Sequence, residues 1–166
     1  KKIYKKLKLL RNHGLKNRNL SELWGTNSRL DNLQASFGNI FLKSINKMNK
    51  KFLNIADYYT KNLKEYVQTP IYNKKTSTPT FHQYIIRTNQ RNKLKKFLET
   101  KGIQTSIHYP IPIHKQEAYK KTFGKINLKK TEVYSRKILS LPIHSYLNHK
   151  QVVYVCSNIK NFFKKN

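Results

Sequence analysis

The stretch SRLDNLQASFGNIFLKSINKMNKKFLNIADYYTKNLKEY (28–66) decides the fold. Its apolar residues fall at 30, 33, 37, 41, 45, 48, 52, 55, 59, 63 and 66. Every step is three or four, so one face of a helix is apolar from end to end. No proline interrupts, and Gly38 is the one weak helix former. Such a segment is longer than the usual helix of roughly 8–20 residues. It must bend or pack against two bodies, and the simplest account is a long helix over 28–69 that links two domains. Strict heptads are not kept, which argues against a coiled coil.

On the N-terminal side, KKIYKKLKLLRN (1–12) has helical spacing at Ile3, Leu7 and Leu10, with Gly14 as its stop. LKNRNLSELWGTN (15–27) reads as a polar loop. On the C-terminal side, Pro70 and Pro79 bracket a second polar loop. HQYIIRT (82–88) reads as a strand, and Asn89 or Asn92 is placed to cap a helix carrying Leu94, Phe97 and Leu98, stopped by Gly102. IQTSI (103–107) reads as a second strand that opens into HYPIPIH (108–114), where two prolines fix the backbone. Helices are expected around 115–121 and over 129–140, with LPIH (141–144) extended. Asn148 can cap a last helix with Val152, Val155, Cys156, Ile159 and Phe163 on one side. Strand and helix thus alternate over 70–166, the mark of a small α/β domain.

The chain has 166 residues and a formal net charge of +28. That charge attracts polyanions at low salt, so a basic nucleic-acid-binding module is the first rival to weigh. Only six of the 35 cations are Arg, and the 29 Lys are spread along the whole length. Arg, with its planar fork, is the usual reader of bases and phosphates. With 18 Asn as well, the bias reads as compositional drift, and nucleic-acid binding is expected to be non-specific. No apolar run reaches the roughly 18–20 residues that span a bilayer, and nothing resembles a signal peptide, so a cytoplasmic protein is expected. The single Cys156 excludes an internal disulfide and sits on an apolar helix face as a core residue. No metal site is expected from the six His, which lack an H-E-x-x-H pattern and carboxylate partners.

Two stretches place polar groups where the chain is constrained. GTNSRLD (25–31) lies where the long helix begins, and a helix N-terminus with Asn27 and Arg29 beside it suits an anion. A helix cap with a surface arginine is the plainer alternative, and Asp31 suits a helix start. SIHYP (106–110) ends a strand in a rigid loop carrying His108 and Tyr109, as ligand-contacting loops do. A buried His–Tyr hydrogen bond is the plainer alternative there.

These pieces, in order, resemble the DegT/DnrJ/EryC1/StrS family of sugar aminotransferases. LRNHG (10–14) resembles the end of the family's large domain, and WGTNSRLDNLQASFG (24–38) its G-x-N-x-R-[LM]-[DS]-x-[LI]-Q-A-A signature. FHQYIIR (81–87) resembles the strand that opens its small domain. GIQTSIHYPIPIHKQEAY (102–119) resembles its G-I-x-T-x-x-H-Y-P-x-P-x-H motif, and ILSLPIH (138–144) its C-terminus. Ser36 stands where a second Ala is common.

The resemblance implies the C-terminal portion of a fold-type-I, aspartate-aminotransferase-like α/β enzyme that uses pyridoxal phosphate. Residues 1–27 would be a remnant of the large domain, 28–69 the interdomain helix and 70–166 the small domain. It implies transfer of an amino group, usually from glutamate, to a keto-sugar nucleotide, in a homodimer with sites at the subunit interface. A relative that uses the cofactor for dehydration is the alternative within the family. Asn27 would reach the cofactor phosphate of the neighbouring subunit, Arg29 the nucleotide's phosphates, and His108 and Tyr109 the sugar-binding mouth. The lysine that attaches the cofactor lies, in the family, upstream of the RNHG-like segment. No lysine here matches it, so no catalytic residue is assigned and the 166 residues alone are expected to be inactive.

Overall fold

The computed structural model describes residues 1–73 and 75–164, and these fall into two compact units that divide between Asn46 and Lys47. Lys74, in the loop expected between the prolines, lies outside the described residues.

In the first unit, helix α1 (Lys2–Leu10) ends at Arg11, and the chain reverses at Gly14 with φ +72°. A Cβ at Gly14 would stand 1.6 Å from the carbonyl oxygen of Leu23, so only glycine fits. The stretch expected to be a plain polar loop contains a short antiparallel hairpin, β1 (Leu15–Asn17) and β2 (Leu20–Ser21). Asn19 N–H donates to Asn17 Oδ1 at 3.0 Å, so the turn is made by asparagine chemistry, not by a glycine. The chain then returns along the end of α1. Thr26 N–H donates to Leu10 O at 2.8 Å, His13 N–H to Thr26 O at 3.0 Å and Ser28 N–H to Arg11 O at 2.9 Å. These bonds pin Asn27 opposite Asn12 as an isolated antiparallel bridge.

The long periodic stretch forms two helices, α2 (Asn32–Leu42) and α3 (Ile45–Leu63). Asp31 starts α2 through a capping box, its N–H donating to Gln34 Oε1 at 3.3 Å. The break falls at Lys43 and Ser44. Both the N–H and the hydroxyl of Ser44 bond the Phe41 carbonyl, at 3.0 and 3.1 Å, which closes the α2 turn early. A two-residue turn leaves the three-and-four spacing intact, so periodicity alone does not reveal it. Burial is unequal along the stretch. None of α2 is buried, whereas Ile55, Ala56, Tyr59 and Leu63 of α3 enter the core of the second unit.

That core packs α3, α4 (Arg91–Thr100) and α7 (His149–Lys164) on an antiparallel pair, β3 (Tyr84–Arg87) and β4 (Ile138–Leu141). Tyr59, Leu63, Tyr84, Ile86, Leu94, Leu98, Leu139 and Ile159 are its fully buried side chains. Gln68 bridges Arg87 on one side and Ser106 bridges Ser140 on the other. The strand expected over 103–107 is therefore a single bridge. The helix expected over 129–140 is α6 (Lys129–Ser135), and Ile138–Ser140 belong to β4. Ile138 and Leu139 fit either period, and pairing with β3 decides. The N-cap position of α4 is Gln90, without a side-chain cap bond, and not Asn89 or Asn92. A 3₁₀ turn (Ile113–Lys115) and helix α5 (Glu117–Phe123) stand where one helix around 115–121 was expected. Asn148 caps α7 as expected: Gln151 N–H donates to its Oδ1 and its own N–H to Gln151 Oε1, both at 2.9 Å.

Candidate functional site

The backbone bonds just described fix where Asn27 and Arg29 stand. Both are exposed in the extended segment ahead of α2. Arg29 Nη2 donates to Asn12 Oδ1, which orients the guanidinium against the end of α1. Asp31 stands between these two residues and the first turn of the helix. α2 begins at Asn32, and the Asp31 side chain faces the Gln34 N–H as one half of the capping box. Arg29 lines a recess of about 550 Å³ together with Lys5, Lys8, Arg11 and Lys16. Five of its eight lining residues are cations, in a chain where 35 of 166 are. Like charges gathered in one concavity raise the local positive potential and favour an anionic ligand.

In the second unit, His108 lines a cleft of about 790 Å³ with His82, Gln104, Ser140, Asn148 and Tyr154 among its walls. Beside Lys150 and the three histidines His82, His108 and His144, that lining is uncharged, with amide, hydroxyl and apolar side chains. His108 Nδ1 lies 2.9 Å from Ser140 Oγ. Tyr109 is 71 % exposed and faces a separate, apolar recess with Ile111, Ile113, Tyr119, Leu128 and Tyr134. The two rings touch edge to face, 5.5 Å between centroids at 78°. The adjacent pair thus serves two surfaces. The expected alternative of a His–Tyr hydrogen bond is replaced by the His108–Ser140 contact.

One polar cluster was not foreseen. His114 is 4 % exposed, and its Nε2 meets Glu132 Oε1 at 3.1 Å, while Lys115 Nζ donates to the same oxygen at 3.0 Å. Leu128 N–H reaches it too, at 3.3 Å. These contacts tie the far end of the 108–114 loop to α6. The sequence signal was only a carboxylate 18 residues after a loop histidine, which carries no period. The Lys115 and His114 hydrogen bonds pull the Glu132 carboxyl down from 4.5 to about 2. A depressed carboxyl stabilises the fold above its unfolded value and loses that contribution as pH falls from about 4.5 toward 2. Wild type should therefore exceed Glu132→Gln in urea midpoint at neutral pH, with the gap closing across that window. A gap independent of pH contradicts the clamp. Cys156 is buried as expected, and burial pushes its thiol up to about 12, so it is no nucleophile.

The first unit thus pins an Asn-x-Arg segment against a helix end, and the second, an α/β unit, carries a His-Tyr-Pro loop. The DegT/DnrJ/EryC1/StrS aminotransferase family model matches residues 1–160, and the chain belongs to that family. It is 31 % identical over 166 residues to the dTDP-3-amino-3,4,6-trideoxy-alpha-D-glucose transaminase of Streptomyces venezuelae, covering 98 % of this chain and 44 % of that one. The crystal structure of S. venezuelae DesV in complex with a ketimine intermediate superposes with a TM-score of 0.89 at 30 % identity, over 98 % of this chain and 44 % of that one. NtdA of Bacillus subtilis, solved with bound cofactor PMP, gives 0.85 at 25 % identity, over 94 % and 38 %. The chain spans less than half the length of these relatives.

Proposed function

We propose that these residues serve in a pyridoxal-phosphate-dependent aminotransferase that moves an amino group from glutamate onto a keto-sugar nucleotide, in polysaccharide or deoxyaminosugar biosynthesis. The observation that carries this reading is the family match over 1–160, with Asn27 and Arg29 exposed on one pinned segment. The residues fit the cofactor's phosphate. Among the described residues the Asn27 carboxamide has no recorded partner, and a carboxamide N–H₂ is a donor that a phosphate dianion requires. When bound, pyridoxal phosphate supplies an electron sink. The chain's own residues bind and orient. Asn27 donates to the cofactor phosphate of a neighbouring subunit, and Arg29 meets the nucleotide's diphosphate beside the cationic recess. His108 and Tyr109 line the sugar side.

The reading divides the chain into 1–27 as part of a large domain, 28–69 as linker and 70–166 as small domain. It includes a homodimer. Leu33, Phe37, Ile40 and Phe41 of α2 are all more than half exposed, as an uncovered subunit interface would be. Charged nucleotide sugars do not cross bilayers unaided, which supports a cytoplasmic location. We further infer that the 166 residues alone do not catalyse, because no lysine among them matches the cofactor-attaching position.

In the complete enzyme that carries these residues, Arg29→Ala should raise KM for the nucleotide sugar by about 10- to 100-fold. That is the worth of one hydrogen bond to a charged group, about 1.5–3 kcal/mol. The kcat should change less. An unchanged KM contradicts the assignment, and turnover that consumes no glutamate favours dehydration instead.

A further inference from the structure

We propose that Ser140 is a positioning residue that holds the His108 imidazole in its Nε2–H tautomer, so that His108 offers the cleft a hydrogen-bond donor. This rests on the reading of His108 as a substrate-contacting residue.

Ser140 is 6 % exposed in β4. Its backbone is fully committed to the neighbouring segment: its N–H donates to Ser106 O at 2.8 Å and its carbonyl accepts from Ser106 N–H at 3.3 Å. The side chain's origin is therefore fixed beside Ser106, which lies two residues before His108. Among the described residues, the one recorded partner of the hydroxyl is His108 Nδ1, at 2.9 Å.

Two proton arrangements satisfy that distance. A serine hydroxyl has one donor and two lone pairs, and a neutral imidazole has one donor and one acceptor. If Nδ1–H donates to Oγ, the proton of this 6 % exposed hydroxyl has no protein acceptor among the described residues. If the hydroxyl donates to Nδ1, only oxygen lone pairs go unused. A buried unpaired donor is the costlier omission, so the second arrangement prevails. The ring proton then sits on Nε2. His108 in this form recognises an acceptor oxygen, such as a sugar hydroxyl or carbonyl, and does not act as a base at Nε2.

Long-range ¹H–¹⁵N spectra of the 166-residue chain, recorded where histidines are neutral, test this by reporting the ring tautomer directly. Wild type should show His108 as Nε2–H alone. Ser140→Thr, which keeps the hydroxyl, should match it, and Ser140→Ala should give an average of the two forms. An Nδ1–H ring in wild type overturns the proposal. So does a wild-type average indistinguishable from Ser140→Ala. If Ser140→Ala does not fold, the wild-type and Ser140→Thr spectra still decide. A locked tautomer combined with an unchanged KM in the His108→Ala enzyme leaves Ser140's role standing and removes His108 from the substrate site.

Discussion

Asn27→Ala should weaken retention of pyridoxal phosphate by about 10- to 100-fold in the complete enzyme that carries these residues. The segment from Gly25 to Ser28 is held by backbone bonds to Leu10, Arg11 and His13, so truncating the side chain leaves the backbone in place. Asn27 is exposed, which removes core packing from the comparison. What remains is one hydrogen bond to a phosphate, about 1.5–3 kcal/mol. The order of substitutions sharpens the expectation. Asn27→Asp has nearly the same shape but sets a carboxylate against a dianion, so it should retain less cofactor than Asn27→Ala. Dialysis of the loaded enzyme followed by cofactor absorbance measures this. Equal retention in wild type, Asn27→Ala and Asn27→Asp contradicts the role given to Asn27.

Tyr59→Ala should destabilise the chain by about 3–5 kcal/mol, as truncation of a large buried aromatic does. Tyr59 is fully buried on α3, with its ring 5.1 Å from that of Tyr84. Its hydroxyl donates to the Pro142 carbonyl at 2.9 Å, which ties α3 to the end of β4. Burial raises its phenol above the usual value, so the donor proton stays on. Tyr59→Phe keeps the ring and loses the bond, and should cost only about 0.5–1.5 kcal/mol. Urea unfolding of the three proteins measures the order. A loss under about 1 kcal/mol for Tyr59→Ala contradicts its place at the centre of the core. A domain's whole stability is about 5–15 kcal/mol, so the larger loss is a substantial share of it.

What the sequence disclosed follows from periodicity. The apolar steps of three and four located α2 and α3, and Asp31 and Asn148 were legible as helix starts, while their reciprocal bonds with Gln34 and Gln151, three residues on, appear in the structure. The break at Lys43 and Ser44 was not legible, because a serine that bonds a carbonyl three residues back leaves no mark on apolar spacing. The boundary between α6 and β4 was not legible either, since Ile138 and Leu139 become strand residues only through register with Ile86 and Arg87. Asn27, Arg29, His108 and Tyr109 stood out in the sequence as polar groups on constrained segments, and motif resemblance gave them their expected roles. Their surroundings were not legible. Asn12 beneath Arg29, Ser140 beside His108 and Glu132 beneath His114 are 17, 32 and 18 residues away in sequence. Such partners are set by tertiary structure, and the two faces of the His108–Tyr109 pair emerge only there. The charge of +28 gains meaning only locally, where Arg29 and four other cations share one recess.

The central claim is that these residues supply phosphate and sugar contacts but not the lysine that attaches the cofactor. Borohydride reduction of the 166-residue chain with pyridoxal phosphate, followed by peptide mapping, tests it most directly. The account predicts sparse label scattered over the 29 lysines, with no position modified stoichiometrically. One lysine labelled to completion, and protected by no other, contradicts it.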